Sequence, residues 1–546
     1  MEECDLGPLN ADEGGCTSSC RLSFCGDGFV EKGVEECDLG PNNANDGACT
    51  DDCKNATCGD GFVWKGVEGC DLGINNAADA ECTPECTVAI CGDGFLRPGE
   101  ECDDGNPFGA DGCGPTCLTP RSLQDGHRDN LITGEADGDF PFGLTNLGDL
   151  NGDGLDDLGI ASGGHDPYGA AYILFDALEI GNLGEASIKI SGTEFKSING
   201  IYPIGDVNQD GSPDIALSGT WSFQQGDKAA VFIFHSPIQA SMTIEDAVAT
   251  GTVAEFNDVG RLQVRPVGDT NGDGSDDYLV IDSDLDTPGD GNGVAYLIQD
   301  HTPLSSDLLG DAASSFLGGV SDADTLGDVD GDGLNDIYIR SVVFSDSGSH
   351  HSIHGFTAPF SNVETTDQAE MDLVPPSGYQ INDARSGHDI DGDGSTDLVV
   401  ALGTFPGLWR ASLFSGPLLG TIPSSAADFE ITGEFEGSRY VEDVFMLGDV
   451  SGDGHHDVAF TSGDDGFDLS ALGNLYVLYG PVSGTSQASQ SDAIIRITGM
   501  VDVGELEVAA GDFDGDGRND IAIGDRVANL STLRGQIFIY LATTLD

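Results

Sequence analysis

The chain has 546 residues, too many for one compact core, so two or more domains or one large repeat fold is expected. Lys and Arg number 20 against 96 Asp and Glu, a net charge of −76. That balance argues against nucleic acid and anionic membrane surfaces as partners, because phosphate binding needs basic patches, and it favours cations.

Glycine is common, at 80 residues, and short runs rich in Val, Ile, Tyr and Phe recur between Gly, Asp, Asn and Ser clusters. This is an all-β pattern. No apolar run reaches the roughly 18 residues of a membrane-spanning helix. No signal-type segment opens the chain, and Met1 falls inside a repeat.

Residues 1–120 form a cysteine ladder, and all 15 cysteines lie between Cys4 and Cys117. Cys25, Cys37, Cys49 and Cys53 form one unit, Cys58, Cys70, Cys82 and Cys86 the next, and Cys91, Cys102, Cys113 and Cys117 the last, at a period of about 33 residues. The units open alike, on CGDGFVEKG, CGDGFVWKG and CGDGFLRPG. Cys4, Cys16 and Cys20 match the last three cysteines of an earlier unit. Units so short and so rich in Gly and Asp cannot bury enough apolar surface to fold unaided, so disulfides are expected to constrain them. Zinc is the competing reading, but Cys-x2-Cys pairs are absent and no His is interleaved. Four cysteines permit three pairings per unit, and the sequence does not choose among them. The count is odd, so one thiol of the first unit lacks a partner. Either the chain is the C-terminal part of a longer polypeptide or that thiol pairs with another molecule. The wording CGDGFLRPGEECDDGNPFGADGCGPTC (91–117) resembles the cysteine-rich repeat of Myxococcus-type bacterial surface proteins. Its Asp103, Asp104, Asn106 and Asp111 could hold a cation, although turn chemistry accounts for them as well.

Residues 121–128 read as a linker, and one nine-residue motif then recurs through 129–546. The copies are DLNGDGLDD (149–157), DVNQDGSPD (206–214), DTNGDGSDD (269–277), DVDGDGLND (328–336), DIDGDGSTD (389–397), DVSGDGHHD (449–457) and DFDGDGRND (512–520). Their first aspartates are 57, 63, 59, 61, 60 and 63 residues apart, a fixed period that marks a repeat architecture. A strand-like run follows each loop, as in LGIAS, YLVID and IAIGD. A second comes later, as in GAAYILF and GNLYVLY, and a third often precedes Thr-Gly or Ser-Gly, as in FEITG. With the run before each loop, that makes four strands in about 60 residues, a β-propeller blade. This region resembles the FG-GAP repeats of integrin α-subunit propellers and their bacterial relatives, Phe142-Gly143 supplying the FG of the first copy. The resemblance implies seven blades. An EF-hand is excluded, because its bidentate Glu would fall at Ile160 or Ile339, inside strands. After GQIFIYL (535–541) only ATTLD remains, whereas a surplus run, DNLITG (129–134), precedes the first repeat. These residues are expected to form the outer strand of the last blade, which removes free sheet edges.

Calcium takes six to eight oxygens at about 2.3–2.6 Å, and loop positions 1, 3, 5 and 9 can supply them from side chains. In the seven loops these are Asp149, Asn151, Asp153 and Asp157; Asp206, Asn208, Asp210 and Asp214; Asp269, Asn271, Asp273 and Asp277; Asp328, Asp330, Asp332 and Asp336; Asp389, Asp391, Asp393 and Asp397; Asp449, Ser451, Asp453 and Asp457; and Asp512, Asp514, Asp516 and Asp520. Glycine at position 6 permits a sharp turn. Position 7 is Leu155, Ser212, Ser275, Leu334, Ser395, His455 or Arg518, the indifference expected of a ligand that acts through its backbone carbonyl. Positions 1, 3, 5 and 9 carry 24 carboxylates, and seven Ca2+ would offset 14 charges and leave the chain near −62. The expected role is structural, about seven ions each pinning a hairpin, at affinities suited to extracellular calcium. The sixth site, with Ser451, should be among the weaker. Magnesium is disfavoured, since it needs a tighter octahedron and keeps its waters.

No G-x-S-x-G, H-E-x-x-H or P-loop occurs, so no enzyme is expected. His350, His351 and His354 cluster in SHHSIH, a candidate transition-metal group or an ordinary strand. The favoured function is a secreted or cell-surface protein that binds a protein or glycan ligand in adhesion. A structural subunit of an extracellular fibre, polymerised through stalk–propeller contacts, is the alternative, and a propeller hydrolase or lyase is the minor one.

Overall fold

The computed structural model describes residues 2–545 except 78–79, 81, 89–92, 98–99, 101, 104, 106–112, 114–116, 118–120, 125–127, 137–140, 163–168, 193–194, 224–225, 253–261, 284–292, 300–311, 346–347, 361–362, 377, 404–408, 433–440, 463–473, 497–505 and 526–534. It divides into two units, Met1–Pro107 and Phe108–Asp546.

The first unit has little apolar core. Cysteines are prominent among its buried residues, with Cys16, Cys49, Cys53, Cys82 and Cys86 no more than 1% exposed, while Leu9, Val34 and Ile74 face outward. Disulfides therefore do what apolar packing does elsewhere. They link Cys25 to Cys53 and Cys37 to Cys49 in one repeat, Cys58 to Cys86 and Cys70 to Cys82 in the next, and Cys4 to Cys16 in the first. The pairing is thus first with fourth and second with third. Each of the first three repeats carries one short 3-10 turn, at Gly7–Leu9, Gly40–Asn42 or Gly73–Asn75. An aspartate just before the turn ties it down: Asp38 accepts the Gly40 N–H at 2.6 Å, and Asp71 the Gly73 N–H at 2.6 Å.

The second unit is a seven-bladed propeller, all-β apart, among the described residues, from short 3-10 turns at Leu183–Glu185, Ile244–Asp246, Thr366–Gln368, Ser424–Ala426 and Ala488–Gln490 and one α-helical turn at Ala542–Leu545. The first blade runs Pro141–Asn146, Leu158–Ser162, Ala170–Leu174 and Ile188–Ser191, antiparallel throughout. The second strands are buried along their whole length at Leu158–Ser162, Asp277–Asp282 and Asp397–Gly403. They are apolar without alternation because neighbouring blades cover both faces. Seven apolar clusters fill the gaps between consecutive blades, including the gap between the last and the first, where Ile132, Leu158 and Tyr172 meet Ala522 and Ile539.

The ring closes through an N-terminal piece. Asn130–Thr133 lies antiparallel to Gln536–Tyr540 as the outer strand of the seventh blade. Arg121–Gln124, in the stretch read above as a linker, lies parallel to Ala493–Arg496 on the sixth blade. This second pairing repeats a rule of the fold. In several blades the segment before the outer strand lies parallel to the outer strand of the blade behind: Met242–Thr243 on Ile188–Ser191, Val363–Thr365 on Ser314–Leu317, Gly420–Pro423 on Met371–Val374, and Gly484–Gln487 on Phe429–Thr432. The backbone groups that an outer strand would leave unpaired are thereby used. Residues 121–133 supply both pieces for the seventh blade.

Candidate metal centres

Each nine-residue loop joins the first and second strands of a blade, and its own hydrogen bonds shape it. In the first loop Asp149 accepts N–H groups from Gly152 at 2.6 Å and Gly154 at 2.9 Å, and Asp153 accepts from Leu155 at 2.9 Å. The same bonds recur at Asp269 and Asp273, Asp328 and Asp332, Asp389 and Asp393, Asp449 and Asp453, and Asp512 and Asp516. Asp206 and Asp210 shape the second loop in the same way. Position 4 takes a left-handed backbone, with Gly331 at φ +82 and Gly392 at φ +80, which glycine adopts without penalty. The exception is Gln209, at φ +59.

Position 9 opens the second strand, and all seven of its aspartates are fully buried. In six of the seven one oxygen accepts the N–H of position 2, as Asp336 does from Val329 at 2.9 Å; Asp214 is the exception. In five blades the other meets the end of the third strand, as Asp336 accepts Ala358 N–H and Asp520 accepts Ala542 N–H, both at 2.8 Å. Burial pushes the Asp157, Asp277 and Asp520 carboxyls up to about 7, and the other carboxylates of each loop add to the rise. Burial and like charge push Asp336 and Asp397 up to about 6. Asp214 also reaches about 6, by burial and by Asp210 and Asp206, and burial carries Asp457 well above the carboxylate range. In each loop a buried acid therefore faces like charge.

A cation fits this donor set. In the fourth loop one oxygen each from Asp328, Asp330 and Asp332 lies within 4.8 Å of the others, as does one each from Asp389, Asp391 and Asp397 in the fifth. Several candidate ligand oxygens are buried without a hydrogen-bond partner: Asn208 Oδ1, Asp214 Oδ2, Asp277 Oδ1, Ser451 Oγ and Asp453 Oδ2. Buried unpaired oxygens are costly, and a hard cation satisfies them together with the surplus charge. Two position-7 side chains meet the position-5 carboxylate of their own loop: Ser275 Oγ donates to Asp273 Oδ1 at 2.7 Å, and Arg518 Nε lies 3.6 Å from Asp516 Oδ2. Arg518 also reaches the sixth loop, where Nη1 donates to the Ser451 carbonyl at 3.4 Å.

The loops are joined blade to blade through position 8, to which the sequence assigned no role, and through the side chains of position 7. The N–H at position 8 donates to the position-1 carbonyl of the loop behind: Asn335 to Asp269 at 3.0 Å, Asn519 to Asp449 at 2.8 Å, and Asp156 to Asp512 at 2.9 Å. The Asn335 and Asn519 side chains add bonds to the Val267 and Leu447 carbonyls, at 2.9 and 2.8 Å. Where position 7 is a large residue, it packs over the position-4 glycine of the loop behind. A Cβ on Gly515 would meet Leu155 at 2.9 Å, and one on Gly392 would meet His455 at 2.7 Å. Where position 4 is Gln209, the residue above is the small Ser275, whose Oγ accepts from Gln209 Nε2 at 2.9 Å. The available signal was a polar residue at position 8 of every copy except Pro213.

The first strands line an axial channel of about 640 Å³. Four residues before each loop, Thr145, Tyr202, Arg265, Asp324, Arg385, Phe445 and Val508 form a layer of its wall. Arg265, Arg340 and Arg385 surround Asp322 at 3.6, 3.9 and 3.3 Å. Burial works against its charge, but the three guanidiniums hold Asp322 below the usual carboxylate range. Burial pushes neighbouring Asp324 up to about 6.

His350, His351 and His354 lie on the strand Gly348–Phe356. His354 Nδ1 meets Asp372 Oδ1 at 2.6 Å, and Nε2 meets Ser352 Oγ at 2.8 Å and Ser341 Oγ at 3.1 Å, so both ring nitrogens are engaged in linking three strands. In the cysteine-rich repeats, Asp103 accepts N–H groups of Gly94 and Gly105, both at 2.8 Å, as a turn residue. Asp104, Asn106 and Asp111 lie outside the described residues.

Comparison with known proteins adds little to this geometry. A domain of unknown function, DUF4215, matches residues 80–118. No curated protein matches the chain. A solved structure titled "glucose dehydrogenase" is similar at 10% identity, over 64% of this chain and 99% of that one, with a TM-score of 0.31. A likeness this low carries no argument about function.

Proposed function

We propose that this chain is a secreted or cell-surface protein whose FG-GAP-type propeller is stiffened by about seven structural calcium ions and acts, without catalysis, in adhesion or in binding a protein or glycan. The buried, like-charged aspartate at position 9 of each loop carries this reading, because it needs a counter-cation that the chain itself does not supply. Calcium supplies positive charge at the mouth of each inner hairpin. The residues of each loop hold it with carboxylate, amide and carbonyl oxygen, and the bonds through positions 7 and 8 pass the resulting order to the next blade. The disulfides of the first unit suit an oxidising compartment, where millimolar calcium is also found. The test is retention of the purified chain on protein- and glycan-coated surfaces in calcium and in EDTA, with a hydrolase and lyase screen beside it. Calcium-dependent retention without turnover supports the reading. Turnover, or no retention on any surface, contradicts it.

A further inference from the structure

Around the axial channel, five consecutive blades present Tyr202, Arg265, Asp324, Arg385 and Phe445 at one level, so a cation–acid–cation run is flanked on each side by an aromatic ring. Thr145 and Val508 complete the circle. Residues 129–546 hold 13 Lys and Arg, and three of them, Arg265, Arg340 and Arg385, gather around Asp322 beside this run. Their charge is matched by Asp322, Asp324 and Asp383, but their hydrogen-bond donors are not all used.

Arg385 makes its bonds through one nitrogen. Nη1 donates to Asp383 Oδ1 at 2.8 Å, to the Ala384 carbonyl at 2.7 Å and to Asp322 Oδ2 at 3.3 Å, while Nε and Nη2 donate to nothing among the described residues. Arg265 is held loosely. Nη2 lies 3.2 Å from Gln263 Oε1 and Nη1 lies 3.5 Å from the Val264 carbonyl. Its carboxylate contacts, 3.6 Å to Asp322 and 3.9 Å to Asp324, exceed hydrogen-bond length. Between the two arginines, Asp324 Oδ1 accepts the Thr325 N–H at 2.9 Å, and Oδ2 accepts no hydrogen bond among the described residues. The wall therefore offers open planar donors, an open carboxylate oxygen and two aromatic side chains to one space.

We propose that the channel binds a uronate, a sugar ring that bears one carboxylate. The carboxylate takes the free edge of Arg385 and the loosely held Arg265, because a guanidinium fork matches its two oxygens. A sugar hydroxyl donates to Asp324 Oδ2, and the apolar face of the ring lies against Tyr202 or Phe445. The channel, at about 640 Å³, is within the range of roughly 300–1,000 Å³ usual for small-molecule sites. Phosphate fits less well, since its second charge would face Asp324 and Glu507, which line the same channel. This assignment narrows the glycan-binding half of the proposed function to one site, and it rests on that reading for its biological setting.

Isothermal titration of the whole chain in calcium is the test, with glucuronate, its methyl ester, glucose and inorganic phosphate as probes. Glucuronate should bind at least about tenfold more tightly than the ester and glucose, which lack the charge, and than phosphate. Arg385→Gln should weaken glucuronate at least about tenfold. Thr145→Trp fills the channel from the wall away from the arginines and should abolish binding. If either variant fails to fold, the titrations of the unaltered chain still decide. No heat from glucuronate up to about 10 mM, equal affinity for the ester, tighter binding of phosphate, or binding that survives in folded Thr145→Trp would overturn the proposal. The methyl glycoside of glucuronate separates the two sources of the ligand. Undiminished binding places the end of an acidic glycan in the channel, and loss of binding places the free sugar there. Retention on glycan-coated surfaces without uronate binding would strike the channel site alone, and uronate binding without retention would strike the adhesion reading alone.

Discussion

Removing calcium should lower the melting temperature of the propeller by roughly 10 °C. The magnitude follows from the number of loops. An ion at about ten times its dissociation constant stabilises the folded state by about 1.4 kcal/mol per site, so seven sites give about 10 kcal/mol. Unfolding entropy is about 2.1 cal/mol/K per residue, or about 0.9 kcal/mol/K over the residues 129–546. The ratio is about 11 °C. The loops also lose more than binding energy when stripped. Each keeps an aspartate that burial and like charge hold at or above about 6, and oxygens such as Asp277 Oδ1 stay buried and unpaired. The assay is scanning calorimetry in millimolar calcium, in excess EDTA, and in EDTA followed by magnesium. Calcium should restore the melt and magnesium should not. A melting temperature that moves by less than about 2 °C between calcium and EDTA would refute the reasoning, because the loops would then be stable as acid-rich turns without an ion.

Without calcium, stability should fall as pH rises from about 4 to about 7. The folded chain binds protons at Asp157, Asp277 and Asp520 up to about pH 7, whereas the unfolded chain releases them near 3.8, so ionisation favours unfolding. In saturating calcium the slope should reverse over the same window, since protons then compete with the ion; melting temperatures across pH in both buffers check the pair of signs. Ser451→Asp adds a fourth carboxylate to the sixth loop and should tighten its calcium affinity about tenfold by isothermal titration, with the other six sites unchanged. Ile132 is fully buried on the closing strand, so Ile132→Asp should cost at least about 4 kcal/mol and speed hydrogen exchange in Gln536–Tyr540 before other strands.

The blade count could be read from the chain because one motif recurs at a near-constant interval and each copy leads into a run such as LGIAS or LVVAL. Those runs are uniformly apolar for a reason that the fold makes plain: a blade is packed on both faces, so its second strand needs no polar side. The features that escaped reading are those made between blades. Asn335 bonds the carbonyl of Val267, and His455 packs over Gly392, across more than sixty residues of chain, and no local pattern announces either. The channel layer is seven side chains of six kinds, Thr145 and Tyr202 through Phe445 and Val508, that meet on the axis. Arg121–Gln124 carries no strand signature in its four residues and is ordered by the edge it covers. Disulfide pairing was open for a related reason, since spacing alone does not say which cysteines approach.

The central claim is that the acidic loops are calcium sites. Metal counting by inductively coupled plasma mass spectrometry on the purified chain, dialysed against calcium-containing buffer with chelator-treated protein alongside, tests it most directly. Close to seven calcium ions per chain, lost on chelation and not replaced by magnesium, is the predicted result. None or one per chain would contradict the account.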